Sequence, residues 1–155
     1  MSIPNLEIES LLNQISDTDL IILPEMFQTG FSMNAEQLAE KMEDSSSISW
    51  LKQQAKEKKA AFYTSLIIEE QGKYYNRGVF IDPKGTITCY DKRKLFGMAE
   101  ESIHFTAGSK EVIVEYLGWK INLQICYDLR FPVWARQSLA PVSNEGNGNN
   151  DQHLE

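Results

Sequence analysis

The chain has 155 residues, 42% hydrophobic and 24% charged, with a net charge of −7. That length gives one domain with a core of its own rather than two. The acid excess argues against a nucleic-acid partner, which needs a basic face, and no stretch approaches the ~20 apolar residues of a membrane span.

The N-terminus shows no basic-then-apolar leader. Two cysteines, Cys89 and Cys126, imply no disulfide framework and are expected as thiols of a reducing cytoplasm. In chain order, "IPNLEIESLLNQIS" predicts a short amphipathic helix. Pro4 suits its first turn, and Ile8, Leu11, Leu12 and Ile15 recur at helical spacing. "DLIILP" is a continuous apolar run of strand length, the pattern of a strand buried on both faces, and Glu25 follows its proline directly. "SSISWLKQQAKEKKA" predicts a second helix, serine-capped and lysine-rich toward its end. Strands are expected at "AFYTSLIIEE", "KYYNRGVFID" and "TITCYDK", punctuated by Gln71-Gly72 and by Pro83-Lys84-Gly85. After a loop, "MAEESIHFTAG", a hairpin "EVIVEYLGWKINLQIC" turns at Leu117-Gly118. Helices followed by a run of strands predict a layered α/β arrangement with mixed pairing. From Ser138 onward the chain is Gly/Asn-rich with no basic residue, and a disordered tail is expected there.

Three chemically capable residues stand at or just beyond strand ends: Glu25, Lys92 and Cys126. Strand ends converge on a common rim, where α/β enzymes place their sites. A thiol gains nucleophilicity when a carboxylate base removes its proton, and a nearby lysine favours the thiolate and stabilises an oxyanion. Each residue also has a plainer reading. Cys126 could be a small core hydrophobe, Glu25 an ordinary turn residue, and Lys92 part of a solvated Lys92-Arg93-Lys94 cluster. Cys89 alternates with Ile87 and reads as core, and His104 as a loop histidine. A cysteine-dependent phosphatase would need an arginine six positions after the cysteine. Pro132 stands there, and Arg130 comes too early. A papain-like pair would have to draw on His104 or His153, and neither suits it.

Taken together, "LIILPEMFQTGFSMN", "YDKRKLFGMAEESIHFTAG" and "LQICYDLRFPVWAR" resemble the three signature blocks of the nitrilase, or carbon–nitrogen hydrolase, superfamily, closest to its ω-amidase-like branch. The resemblance runs from Asp19 to Arg136. It implies Glu25 as general base, Lys92 as oxyanion-stabilising lysine, Cys126 as nucleophile, and the backbone N–H of Tyr127 as an oxyanion donor. Glu101 fits the place of a second glutamate better than Glu100, and Arg130 belongs to the supporting set. Choosing Lys92 over Lys94 rests on reading "YDKRKLF" against the family pattern Tyr-x-Lys-x-x-Leu-Phe. The implied reaction hydrolyses a small ω-amide of a dicarboxylic 2-oxo acid to the acid and ammonia through a cysteinyl thioester. Neither metal nor organic cofactor is expected, and the implied partner is a homodimer or higher oligomer.

The implied fold is α/β, an α-β-β-α sandwich, here expected to be incomplete. The family's first strand and the C-terminal half would be missing, leaving a partial domain over residues 1–137 and a polar tail over 138–155. Val133 also stands where the family often carries an acid after "FP". The competing expectation is therefore a catalytically silent fragment that survives by self-association through exposed apolar sheet surface.

Overall fold

The computed structural model describes residues 6–135. The expected tail, 138–155, and Pro4 lie outside the described residues. Helix α1 (Leu6–Asn13) is followed by strand β1 (Leu20–Ile22), which pairs in parallel with Ala61, Phe62 and Tyr63. The strand is shorter than the apolar run suggests and is not covered on both faces. Ile21 is buried, but Ile22 is 68% exposed.

A single turn, α2 (Ala35–Leu38), precedes helix α3 (Ser46–Lys58). The capping serine is Ser45, whose Oγ accepts the Ile48 N–H at 3.0 Å. Glu40 reaches the same helix start and accepts from Ser45 and from the hydroxyl and N–H of Ser47. Burial alone would raise its carboxyl pKa. Hydrogen bonds from Ser45, Ser47 and Gln28 outweigh that and hold it below the ordinary value.

Strands β2 (Ala61–Glu70) and β3 (Lys73–Ile81) form a long antiparallel hairpin. Gln71 and Gly72 both adopt positive φ, 54° and 74°, the turn whose twist matches that of its strands. Strand β4 (Ile87–Asp91) adds to β3, giving the sheet order β1-β2-β3-β4. The mixed pairing expected from sequence is present: one parallel pair and two antiparallel pairs.

Side chains alternate between the faces of this sheet. Phe62, Leu66 and Ile68 of β2, with Val79 and Ile81 of β3, meet Leu12 of α1 and Ile48, Leu51 and Ala55 of α3. Cys89 pairs with Val79 and packs partly buried against this cluster, as a core thiol should. The opposite face presents Ala61, Phe80 and Tyr90 to Val114, Leu123 and Ile125.

Those last residues come from the end of the described chain. The expected loop after β4 contains two short turns, Gly97–Ala99 and α4 (Glu101–His104). A hairpin of β5 (Ile113–Tyr116) and β6 (Trp119–Asn122) follows, turned by Leu117 and Gly118 at φ 49° and 81°. Strand pairing stops at Asn122, earlier than the apolar run predicts. Leu123 to Ile125 instead cross under the main sheet to a 3₁₀ turn, Cys126–Arg130, and then α5 (Pro132–Ala135). The described residues therefore form three layers: helices α1 and α3, the four-stranded sheet, and the β5–β6 hairpin with residues 123–125.

Candidate active site

Glu25 lies three residues beyond β1 in a turn bolted to β2 on both sides. The Thr64 hydroxyl donates to the Pro24 carbonyl at 2.8 Å, and the Met26 N–H donates to Ser65 Oγ at 3.0 Å. Met26 has φ 50°, a conformation that costs an unbranched side chain ~1–2 kcal/mol. That kink turns the chain away from the sheet directly after Glu25.

Lys92 follows the last residue of β4. Its N–H donates to Asn76 O of β3 at 3.0 Å, and its carbonyl accepts from the Gly108 N–H at 2.9 Å. Gly108 is required by close approach: a Cβ there would stand 2.2 Å from the Asp91 carbonyl oxygen. The backbone of Lys92 is thus held from two directions. Its side chain is 1% exposed, with Nζ 2.7 Å from Glu25 Oε1 and 2.9 Å from Glu101 Oε2. Lys94, by contrast, carries its Nζ over the ring of Phe131.

Glu101 opens α4 directly after Glu100, which is left-handed at φ 57°. It is fully buried and also accepts the Phe96 N–H at 2.6 Å. Of the two adjacent glutamates, Glu101 faces the lysine. Sequence reading missed Asn76, whose Nδ2 donates to Glu25 Oε1 at 2.7 Å and Glu101 Oε1 at 2.9 Å. The available signal was a polar side chain in a buried strand, on the same face as Gly78 and Phe80.

Cys126 starts the 3₁₀ turn with φ 44° and is exposed. Its position rests on Asp128, 1% exposed, whose carboxylate accepts the Tyr90 hydroxyl at 2.6 Å, the Lys94 N–H at 2.8 Å and the Ile125 N–H at 3.0 Å. One carboxylate therefore ties the cysteine turn to β4 and to the loop after Lys92. A second tie comes from the Tyr63 hydroxyl, which donates to the Gln124 carbonyl at 3.0 Å. Tyr63 lies across Gly78, where a Cβ would meet its Oη at 2.6 Å.

The Cys126 thiol hydrogen-bonds to Glu25. Burial, then the charge of Glu25 and this hydrogen bond, push the thiol pKa above its ordinary value, and Lys92 pulls the other way without prevailing. Lys92 thus acts in the expected direction, toward the thiolate, but burial and Glu25 outweigh it. Burial is the larger influence on the thiol, and the carboxylates act in the same direction. Lys92 itself is lowered by burial but raised more by hydrogen bonds to Glu25 and Glu101, so it stays charged.

A cleft of about 270 Å³ opens over these groups, lined by Glu25, Lys92 and Cys126 together with Phe31, Phe96, Tyr127 and Arg130. Tyr127 packs between Phe96 and Phe131, ring centroids 5.0 and 5.2 Å away. Arg130 is exposed at the cleft, whereas His104 is exposed at the end of α4 and lines neither cleft nor groove. Next to the cleft runs an apolar groove of about 430 Å³ between β1 and residues 121–126, sharing Glu25 and Cys126. Among the described residues no cluster of His, Cys, Asp and Glu could hold a metal ion, and no helix is long and apolar enough to cross a membrane.

The chain is similar to omega-amidase YafV of Yersinia enterocolitica, 44% identical over 128 residues, covering 83% of this chain and 49% of that protein. It is 33% identical over 129 residues to the 2-oxoglutaramate amidase of Bacillus subtilis, covering 81% of this chain and 49% of that protein. The crystal structure of XC1258 from Xanthomonas campestris, a CN-hydrolase superfamily protein with an arsenic adduct in its active site, superposes with a TM-score of 0.80 at 40% identity. That match covers 84% of this chain and 49% of XC1258. The chain spans about half the length of the curated relatives it matches. The carbon-nitrogen hydrolase family model matches residues 7–141, and with the mixed sheet superposing on its structural neighbours, the chain belongs to the carbon–nitrogen hydrolase family.

Proposed function

We propose that this chain carries the catalytic centre of a cytoplasmic thiol amidase. It hydrolyses a small ω-amide of a dicarboxylic 2-oxo acid to the acid and ammonia. The observation that carries this reading is the convergence of Cys126, Glu25 and Lys92 on one cleft, with the lysine ammonium 2.7 Å from the Glu25 carboxylate.

Glu25 takes the thiol proton as Sγ bonds to the amide carbonyl carbon. The negative charge that forms on the carbonyl oxygen is met by Lys92 and by the N–H of Tyr127, in the first turn of a 3₁₀ segment where N–H groups lack intrahelical partners. The C–N bond breaks as Glu25 returns the proton to nitrogen, and ammonia leaves a thioester on Cys126. Water, losing a proton to Glu25, adds to the thioester. Collapse frees the acid and restores the thiol. Glu101 fixes Lys92 throughout. Arg130, exposed at the cleft, supplies a cation for the far carboxylate of the substrate. The family resemblance supports the ω-amide class, since two similar proteins bear the names omega-amidase and 2-oxoglutaramate amidase. No cofactor enters this scheme.

The exposed edge of the apolar groove supports a second element, self-association into a homodimer or higher oligomer. Ile22 and Leu129, which line the groove, are 68% and 66% exposed, apolar surface of the kind that marks association sites. The same surface favours the alternative reading, a silent fragment that self-associates. Intact-protein mass spectrometry after brief mixing with 2-oxoglutaramate separates the two. An acyl adduct on Cys126, with ammonia released, is the expected result. A chain that stays unmodified and releases no ammonia supports the silent fragment and removes the amidase reading.

A further inference from the structure

We propose that Asn76 is a positioning residue of the site: a bridge that holds Glu25 and Glu101 on a common side of Lys92 and keeps Glu25 against the thiol. This rests on the amidase reading above and adds a residue to it.

The geometry is specific. Asn76 stands opposite Lys92 in the β3–β4 register, since Arg77 pairs with Asp91 and the Lys92 N–H bonds Asn76 O at 3.0 Å. Its side chain therefore emerges on the same face as the lysine. Nδ2 spends both hydrogens on carboxylates, 2.7 Å from Glu25 and 2.9 Å from Glu101. Because both neighbours only accept, the amide has a single workable orientation.

That orientation is poor for stability. Asn76 is 1% exposed, and its Oδ1 has no hydrogen-bond partner among the described residues. A buried acceptor left unmatched calls for a reason beyond packing. The reason lies in the charges around it: Glu25 and Glu101 carry like charge, and Lys92 is the one ammonium bonded to both. Like-charged carboxylates sharing a site drive proton uptake or separation. A neutral double donor between them opposes both outcomes without adding a charge. It holds Glu25 beside Cys126, on the cleft that both line.

The test compares Asn76→Ala, the near-isosteric Asn76→Asp, and Val79→Ala as a core control of the opposite sheet face. Two readouts are taken for each: the pH profile of ammonia release from 2-oxoglutaramate, and the pH dependence of iodoacetamide alkylation at Cys126. Asn76→Ala should move the acid limb of the rate profile up by about one pH unit, as expected for a lost hydrogen bond to a charged group. It should lower kcat about tenfold with less than threefold change in KM. The alkylation midpoint should rise, more for Asn76→Asp, which adds a carboxylate, than for Asn76→Ala. Val79→Ala should lower the melting temperature and move neither profile. Asn76 variants that melt earlier yet superimpose on the wild type in both profiles would overturn the assignment. Wild type that releases no ammonia, with alkylation midpoints that still shift in this order, would remove the substrate reading and leave the bridge standing.

Discussion

The Asp128 carboxylate offers a quantitative test of how the cysteine turn is held. It is buried and accepts three donors: Tyr90 Oη, Lys94 N and Ile125 N. Asp128→Ala leaves all three without an acceptor. Each unmatched buried donor costs ~1–3 kcal/mol, and the tyrosine hydroxyl can rotate toward another partner, so the loss is about 3–5 kcal/mol. Against the ~5–15 kcal/mol stability of a typical domain, that removes much of the margin. Asp128→Asn is the sharper experiment because it preserves shape. Its oxygen can take the Oδ2 place, serving Tyr90 and Ile125, but its NH₂ then faces the Lys94 N–H, donor against donor. The expected cost is ~1.5–3 kcal/mol, which at this chain length lowers the melting temperature by about 5–9 °C. Thermal unfolding by circular dichroism, with alkylation of Cys126 followed in parallel, reads both consequences. The asparagine variant should melt earlier and should lose any rate difference that depends on the turn. Melting within about 2 °C of wild type would show that Asp128 does not anchor the turn, and the reasoning would fail.

Four further outcomes are expected. Lys92→Ala should reduce amide turnover by ~10²–10³, the usual cost of losing an oxyanion stabiliser, whereas Lys94→Ala should cost little; steady-state ammonia release with the reverse ranking would place the register of "YDKRKLF" wrongly. Iodoacetamide should label Cys126 before Cys89, because Cys126 is exposed while both thiols are raised first by burial, and its rate should keep climbing above the ordinary thiol range; a rate already flat at neutral pH would contradict a resting thiol. The same raised values carry a stability sign: Cys126 and Lys92 hold their protons more tightly when folded, so their contribution is full below the unfolded values, ~8.5 and ~10.4, and is lost as pH rises through the folded ones, visible as a melting temperature that falls in alkali. Finally, size-exclusion chromatography with light scattering should give a dimer or larger species, and a monodisperse monomer with a sharp, high-temperature transition would refute the role assigned to the exposed groove.

Much of the architecture was legible because β2 and β3 carry long runs of β-branched and aromatic residues closed by a Gln-Gly turn. Such local signals survive whatever packs around them. The serine cap of α3 was legible for the same reason. The length of β6 was not, since "INLQI" continues the apolar pattern while regular pairing ends at Asn122, leaving one last bond from the Leu123 N–H to the Val112 carbonyl opposite. Within the site, Glu25, Lys92 and Cys126 were visible from their common placement at strand ends and from the resemblance of their flanks. Asn76 was not, because its meaning depends on which residue of β4 stands opposite, and register is a property of the folded pair. The protonation of the thiol was hidden too. It depends first on how deeply the thiol is buried and then on how near Glu25 stands, both properties of the folded chain.

The left-handed backbone at Cys126 bears on which nucleophiles this scaffold can adopt. At φ 44° an unbranched side chain is strained but tolerated, whereas a β-branched one is a genuine outlier. Serine fits the same torsion and would keep an oxygen where sulfur now stands. Threonine brings the same hydroxyl but adds a methyl at Cβ, and the turn has no room in its dihedral space for it. Met26 and Glu100, at φ 50° and 57°, impose the same filter on positions with no reacting atom. A saturation library should therefore be depleted of Val, Ile and Thr at all three sites alike. Such a pattern of forbidden residues would mark the left-handed positions of the three turns through their backbone alone.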